Sequence, residues 1–428
     1  MQGKSIRRSV TSDSFTNNHS SHMGDLKDIR CFDENPRDES WTRHERHFFI
    51  ITDASRPVYC RYGNELNVTP LLCTIVAFTG QLVRDGNQKL QTIVAGNKLF
   101  VFYLPLPFIF VCVSSIKLPT SLIMKELQIL EQIIFSILTP NITQTLQRRP
   151  NFDIKKQTSS NENHFTSALE LMDNYHTFIF HDYIPMSPIA GGRDKYAQIV
   201  HENQTKGIYA FLIFYQNELL CYVESKKFQM TTDDFHILLN NAYPNIPMIL
   251  PICLPNRENI IFHVVAEFHE DLDCAIALIT EDIDAGPLAA SMSENIISSF
   301  KSHNLGIPEL IPPLEKPEIK HFIIAHHGLK QVYSPFLDSI SEESSKVLYR
   351  SYAWANEYLK SSNIKGPFYI ATDELTLFGK HNDKKTIIAA ANLGCSASKA
   401  QELLEDLLSY IKLYKDVIFD YKPFKWSD

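Results

Sequence analysis

The stretch from Leu99 to Ile116, LFVFYLPLPFIFVCVSSI, sets the first constraint on what this chain can fold into. It is apolar and nearly long enough to cross a bilayer as a helix. Pro105 and Pro107 stand at its centre, where they would break a helix. The flanks KLFVFYL and FIFVCVSS are aromatic and β-branched, so the stretch reads as two buried strands around a tight turn.

The surroundings of this pair read as strand, strand, helix, three strands, helix. Order starts near His47, where HFFIITD and PVYCRYG form a strand pair with a turn around Ala54 to Arg56. A helix follows, with Thr69 as its cap and Pro70 in its first position. Leu72, Ile75, Val76, Thr79, Leu82 and Val83 recur at helical spacing and predict one buried stripe. Asp85 and Gly86 end this helix. LQTIVA then joins KLFVFYL through a hairpin at Gly96-Asn97. A helix starting at Pro119-Thr120-Ser121, with apolar positions from Leu122 to Leu138, closes the module. A five-stranded antiparallel sheet packed with helices is the compact solution.

At 428 residues the chain exceeds the size at which one core keeps growing, so two to four domains are expected. The same order recurs in GIYAFLIFY, ELLCYVES, a helix from Thr231, MILPICL, IFHVVAEFH, CAIALIT and a helix from Ala289 to Phe300. It recurs again in HFIIAHH, LKQVYSP, a helix from Glu342 to Ser361, PFYIAT, LTLFGKH, TIIAAANL and a helix from Ser396 to Leu413. Residue identity among the copies is almost nil, so the repeat is one of topology. The expected organisation is an α+β chain with a flexible, polar arm over 1–45 and a first domain over 46–150. A linker with short helices over 151–206, a second domain over 207–305, a Pro-rich linker over 306–319 and a third domain over 320–428 follow.

Chemistry is hard to find in this sequence. A net charge of −8 and the lack of a long Lys/Arg run argue against nucleic-acid binding. The eight cysteines are scattered, none at C-x-x-C spacing, and suit a reducing compartment. Lys4, Arg7 and Arg8 have no apolar stretch behind them, so no secretory signal is expected. His326 and His327 are adjacent on a predicted strand, point to opposite faces and cannot easily chelate one ion. His263 and His269 alternate with apolar residues and read as structural. Ala190-Gly191-Gly192-Arg193 lacks the Lys-Ser/Thr of a phosphate loop. No catalytic, metal or cofactor residue is assigned. Interaction surface remains, and a binding module is the class that the residues favour. Lys4, Arg7 and Arg8, or the pairs Arg148-Arg149 and Lys226-Lys227, offer contacts to acidic lipids or are plain surface charge.

Three motifs resemble a known family. Thr52-Asp53 followed by Pro57, Tyr59, Arg61, Tyr62 and Gly63 resembles the P-I-Y-x-R-Y-G opening of the SAND/Mon vacuolar fusion proteins. Cys253-Leu254-Pro255 before IFHVVAEF is similar to their C-L-P signature. Gly306-Ile307-Pro308 leading to His321-Phe322 is similar to their G-I-P link into H-F. The anchors stand in the family's order and span nearly all of 47–428.

The resemblance implies three longin domains and a Ccz-type longin protein as partner. It implies guanine-nucleotide exchange on a late-endosomal Rab GTPase, in endosome maturation, vacuole fusion and autophagy, from a cytoplasmic position peripheral to the late-endosomal or vacuolar membrane. The arm is shorter than in larger members, so regulation or recruitment by a longer extension is not carried over. Two readings of PVYCRYG stay open. Tyr59 and Arg61 share a strand face and serve packing, or Tyr59, Arg61, Tyr62 and Asn64 touch a partner. By placement, Gln81, Arg84 and Asp85 at the end of the following helix are the expected partner-facing or GTPase-facing group. An adaptor or coat-type subunit without exchange activity is the alternative, and a soluble transferase a distant third.

Overall fold

A computed structural model describes residues 34–85, 90–189, 192–241, 248–255, 257, 260–272, 274–303, 305, 311–335, 340–421 and 423–426. After a short helix α1 (Glu39–Arg43), the first domain runs β1 (Arg46–Thr52), β2 (Pro57–Cys60), α2 (Glu65–Asp85), β3 (Thr92–Ala95), β4 (Lys98–Tyr103), β5 (Phe108–Ser114) and α3 (Thr120–Leu138). A connecting region holds α4 (Asn141–Arg148), α5 (Lys155–Thr158), α6 (Glu162–Asn174), β6 (Ile184–Pro185) and α7 (Arg193–Glu202). The second domain is β7 (Ile208–Tyr215), β8 (Glu218–Ser225), α8 (Thr232–Asn240), β9 (Met248–Cys253), β10 (Ile261–His269), β11 (Cys274–Thr280) and α9 (Gly286–Ser302). The third is β12 (Ile319–His326), β13 (Gln331–Tyr333), α10 (Glu342–Ser362), β14 (Gly366–Ala371), β15 (Leu375–His381), β16 (Lys385–Asn392) and α11 (Ala397–Ile418), with β17 (Phe424–Trp426) behind it.

The described residues form three sheets with one order. It is β2-β1-β5-β4-β3 in the first domain, β8-β7-β11-β10-β9 in the second and β13-β12-β16-β15-β14 in the third. The predicted repeat is therefore real at the level of pairing, and Leu99 to Ile116 is the antiparallel pair β4–β5. Each β1 side chain is buried because the strand alternates between two covered faces. Phe48 and Ile50 join Phe110 and Cys112 on one side, while Phe49 and Ile51 join Val111 and Val113 on the other.

Sheets two and three each carry a sixth strand that the sequence did not announce. β17 lies parallel to β8, with Phe424 opposite Val223. β6 lies parallel to β13, with Ile184 opposite Gln331, and the next residue, Met186, bridges to Leu219 of β8. These additions are two or three residues long and pair with strands distant in sequence, so no local periodicity marks them. The 151–206 segment, expected as a linker with short helices, is packed. Phe165, Leu169, Met172, Phe178, Ile179 and Phe180 are buried in a core shared by all three domains. Part of the arm expected over 1–45 is packed, since Trp41 is buried and its indole N–H donates to the Tyr62 carbonyl at 3.3 Å. Residues 1–33, which include Lys4, Arg7 and Arg8, lie outside the described residues, as do Ala190-Gly191 and the Gly306–Leu310 motif.

The domains do not face the shared core alike. The second and third turn α8 and α10, the helices after their second strands, toward it, and keep their closing helices in separate outer cores. The first domain is turned over. It presents its closing helix α3 to the shared core and leaves α2 on the outside.

Candidate partner interface on the first domain

The outer helix starts one turn earlier than Thr69. Asn64 caps it, its Oδ1 accepting the Leu66 N–H at 2.9 Å, and Pro70 falls inside the helix. The hydroxyl of Thr69 donates instead to the Glu65 carbonyl at 2.7 Å. Val68, Leu72, Ile75 and Thr79 form the buried stripe, close to the predicted one. The opposite side is the unusual one. Leu66 is 80% exposed and Phe78 45%, with Pro70, Cys73, Thr74, Ala77 and Gln81 exposed between and beyond them. From Leu66 to Val83 the helix carries no charge. A surface helix ordinarily places charged residues on its wet side, and an uncharged exposed face marks an interaction surface.

Gln81 stands on this open side, whereas the side chains of Arg84 and Asp85 lie outside the described residues. Tyr59, Arg61 and Tyr62 are elsewhere. They are buried, so the packing reading of the PVYCRYG motif is the one that matches the geometry, and the expectation of direct contact through these three gives way. The Tyr59 hydroxyl lies 3.0 Å from Thr166 Oγ1 on α6, and its ring packs on Phe165. Tyr62 stacks on His44 at 3.6 Å. Gly63 takes φ +80° beside Trp41 and within reach of the Glu34 carbonyl, a position that a side chain would block.

Arg61 belongs to a buried ion network that sequence reading missed, because its partners are far along the chain. Its Nη2 meets Asp173 Oδ2 at 2.5 Å, and Asp173 also receives Arg46. Arg46 Nη1 donates to both oxygens of Glu126, at 3.0 and 2.8 Å. Burial pushes the Asp173 carboxyl up, but the Arg46 and Arg61 guanidiniums outweigh it and hold the group below its ordinary value. For Glu126, burial prevails over Arg46 and the pKa is raised. The Tyr349 hydroxyl of α10 reaches Glu126 at 3.4 Å, so the network fastens the inner face of the first domain to α6 and to the third domain. Two guanidiniums facing two carboxylates leave no net charge, as a buried site requires.

His326, His327 and Arg193 have structural partners. His327 lies 2.5 Å from the Tyr183 hydroxyl and 3.0 Å from Thr386 Oγ1, and His326 Nδ1 accepts the Leu329 N–H. Arg193, from the glycine-rich fragment, is buried and donates to the carbonyls of Leu220, Val417, Ser187 and Ile418, tying the connecting region to the second and third domains. Arg148-Arg149 and Lys226-Lys227 are exposed. Among the described residues no group of three or more His, Cys, Asp or Glu is placed to hold a metal, and no helix is long and apolar enough to cross a membrane.

Residues 46–169 match the family model described as the first longin domain of FUZ, MON1 and HPS1, which makes this a longin-domain protein. The chain is 22% identical to the bovine "Vacuolar fusion protein MON1 homolog A" over 412 residues, covering 91% of this chain and 74% of that one. It is 21% identical to the human homolog A, covering 91% of this chain and 63% of the human one. With the Arabidopsis thaliana "Vacuolar fusion protein MON1 homolog" it shares 26% over 263 residues, 60% of this chain and 43% of the plant protein. Along most of its length the chain is therefore similar to the MON1/SAND vacuolar fusion proteins, as the three sequence motifs indicated.

Proposed function

We propose that this protein is a trafficking factor, the Mon-type subunit of a two-chain guanine-nucleotide exchange factor. It pairs through the first domain with a Ccz-type longin protein and acts on a late-endosomal Rab GTPase in endosome maturation, vacuole fusion and autophagy. One observation carries this reading: the domain that matches the longin family model is the one that turns an uncharged helix face, Leu66 to Gln81, to the outside. Burying one large apolar side chain contributes roughly 1.5–3 kcal/mol, so Leu66 and Phe78 anchor the contact. Exchange needs no bond made or broken. The paired domains hold the GTPase with its switch regions displaced, and its affinity for magnesium and nucleotide falls. Membrane contact is peripheral, with Arg148-Arg149 and Lys226-Lys227 worth about 1 kcal/mol per charge against an acidic surface.

The test is release of a fluorescent guanine nucleotide from a late-endosomal Rab, with this chain alone, with its copurified Ccz-type partner, and with partner plus Phe78→Asp. Acceleration with both chains, lost in the variant, is the expected result. A stable complex that leaves release unchanged across several Rabs sinks the exchange reading in favour of an adaptor. Cys73 gives a direct readout of the contact, since it is exposed on the open face and its maleimide labelling slows once the partner covers it.

A further inference from the structure

A cleft of about 1050 Å³ opens between the first and third domains. Its floor is apolar, from Ile116, Ile364, Phe368 and Ile370, each half-buried against the shared core. Trp354 and Tyr358 of α10 rise along one wall, 49% and 52% exposed. Trp354 is fixed there because its indole N–H donates to the Lys117 carbonyl at 2.9 Å across the domain boundary.

The other wall is β14, the outermost strand of sheet three on that side. Its hairpin closes with the Thr372 N–H on the Leu375 carbonyl at 2.9 Å, and Phe368 and Ile370 stand opposite Gly379 and Leu377. Backbone groups alternate in direction along an antiparallel strand, so Phe368, Ile370 and Thr372 bond to β15 while Pro367, Tyr369 and Ala371 turn their backbone outward. Pro367 fits this assignment, since proline is tolerated on an edge where its missing donor faces away from the sheet. The N–H groups of Tyr369 and Ala371 are thus offered to an added strand.

This molecule twice uses short extended segments on sheet edges, β17 on β8 and β6 on β13, and β14 has no such segment among the described residues. The charges lining the cleft are Lys117, Arg350 and Glu374, two cations against one carboxylate, and Glu374 stands 3.7 Å from Arg350. On a chain of net charge −8 this is a local positive excess, and it favours an acidic residue in the occupant.

We propose that the cleft binds an extended peptide segment of another protein, added as a strand to β14. Bulky apolar residues at alternate positions lie in the cleft, and acidic residues meet Lys117 and Arg350. The site is on a different surface from α2 and does not depend on the exchange reading.

The probe is a fluorescein-labelled peptide DDISFTVTI, measured by anisotropy against the full chain. Binding is expected, weakened about tenfold or more by Trp354→Ala and by Ala371→Pro, which removes an outward N–H without touching β15. A peptide KKISFTVTI binds more weakly, and the double variant Lys117→Glu/Arg350→Glu reverses that preference. If Ala371→Pro fails to fold, the same backbone contact is read by a probe N-methylated at alternate residues, which loses binding to the unaltered chain. No binding by the full chain, or equal binding by all variants and probes, overturns the proposal. Binding that appears only after residues 1–33 are removed assigns the cleft to the chain's own segment and overturns it as well.

Discussion

Helices α2 and α10 occupy the same slot of the repeat, between second and third strands, and both are 21 residues long. Their surroundings differ. α10 buries Leu348, Tyr349, Tyr352, Ala353, Ala355, Asn356 and Leu359 and carries Glu342, Glu343, Lys346 and Lys360 among its outer residues. The first domain lies over it, through Trp354 on Lys117, Tyr349 on Glu126 and Glu357 accepting the Ser121 hydroxyl at 2.5 Å. α2 rests on its sheet and on Trp41 of α1, with Glu65 at its head joined to Lys155 of α5 at 2.7 Å, and its outer side from Leu66 to Gln81 is uncharged. The slot is thus satisfied within the chain in the third domain and left open in the first, which follows from the first domain being turned over. The residues follow the placement in part: the outer side of α10 carries charge beside the half-exposed Trp354 and Tyr358 of the cleft, whereas the described outer side of α2 carries none.

The largest effect is expected from breaking the attachment on the covered side. Glu126→Ala leaves the buried Arg46 without one of its two carboxylates and should cost about 3–5 kcal/mol in denaturant unfolding. The double variant Arg46→Met/Glu126→Leu should recover most of that loss, because it removes both charges and keeps the volume. A single-variant cost under about 1 kcal/mol would mean that the first domain is not held to the third through this network.

On the open side the expectation is opposite in kind. Phe78→Asp should change the stability of the isolated chain by no more than about 0.5 kcal/mol, since the residue touches solvent. It should weaken association with the proposed Ccz-type partner by tenfold or more, roughly 1.4 kcal/mol. Equal damage to stability and to association would erase the distinction between the two helices.

Much of this architecture was legible in the sequence, and the residues show why some was not. Alternating apolar strands, turn residues and the stripe through Leu72, Ile75 and Thr79 are local signals, and they placed the repeated elements. Asn64 was missed as the α2 cap because Thr69-Pro70 is also a good helix start. The same ambiguity hid Val68 and the true beginning of the open face at Leu66. Arg61 and Asp173 are 112 residues apart, and β6 with β17 complete sheets begun by other domains, so only the fold brings them together. Of the candidate site, Asn64 and Gln81 lie on the outer helix, whereas Tyr59, Arg61 and Tyr62 hold the domain from within. A strand motif alone does not show which face meets water.

Acid should weaken the covered side next. His176 and His321, 5.3 Å apart beside α10, are buried, and burial lowers them to about 4 and about 3, with their mutual repulsion adding to the fall for His321. Both folded-state values lie below the unfolded value near 6.5, so the unfolded chain binds more protons as pH falls. Stability is complete above about pH 6.5 and declines by roughly 1.4 kcal/mol per pH unit for each histidine on the way down to about 4. Urea unfolding between pH 7 and 5 should show this slope, to which the buried His47, His181 and His236 and the half-buried His327 add, and His176→Asn/His321→Gln should reduce it by the share of these two rings. An unchanged slope in that variant would mean that the two rings are not kept neutral beneath α10.

The smallest effects compare the two helix starts directly. Ser341 Oγ accepts the Ser344 N–H at 3.3 Å at the head of α10, as Asn64 Oδ1 accepts the Leu66 N–H at 2.9 Å at the head of α2. Replacing either by Ala should cost about 1 kcal/mol of stability, because each frees one backbone donor in the first turn. The consequences for partner binding should diverge. Fraying at Asn64 loosens Leu66, the most exposed apolar residue of the open face, so Asn64→Ala should also weaken association several-fold, about 1 kcal/mol. Fraying at Ser341 disturbs a helix whose contacts lie within the chain, so Ser341→Ala should leave association unchanged. Isothermal titration with the partner separates the two, and equal loss in both variants would place the interface beyond α2.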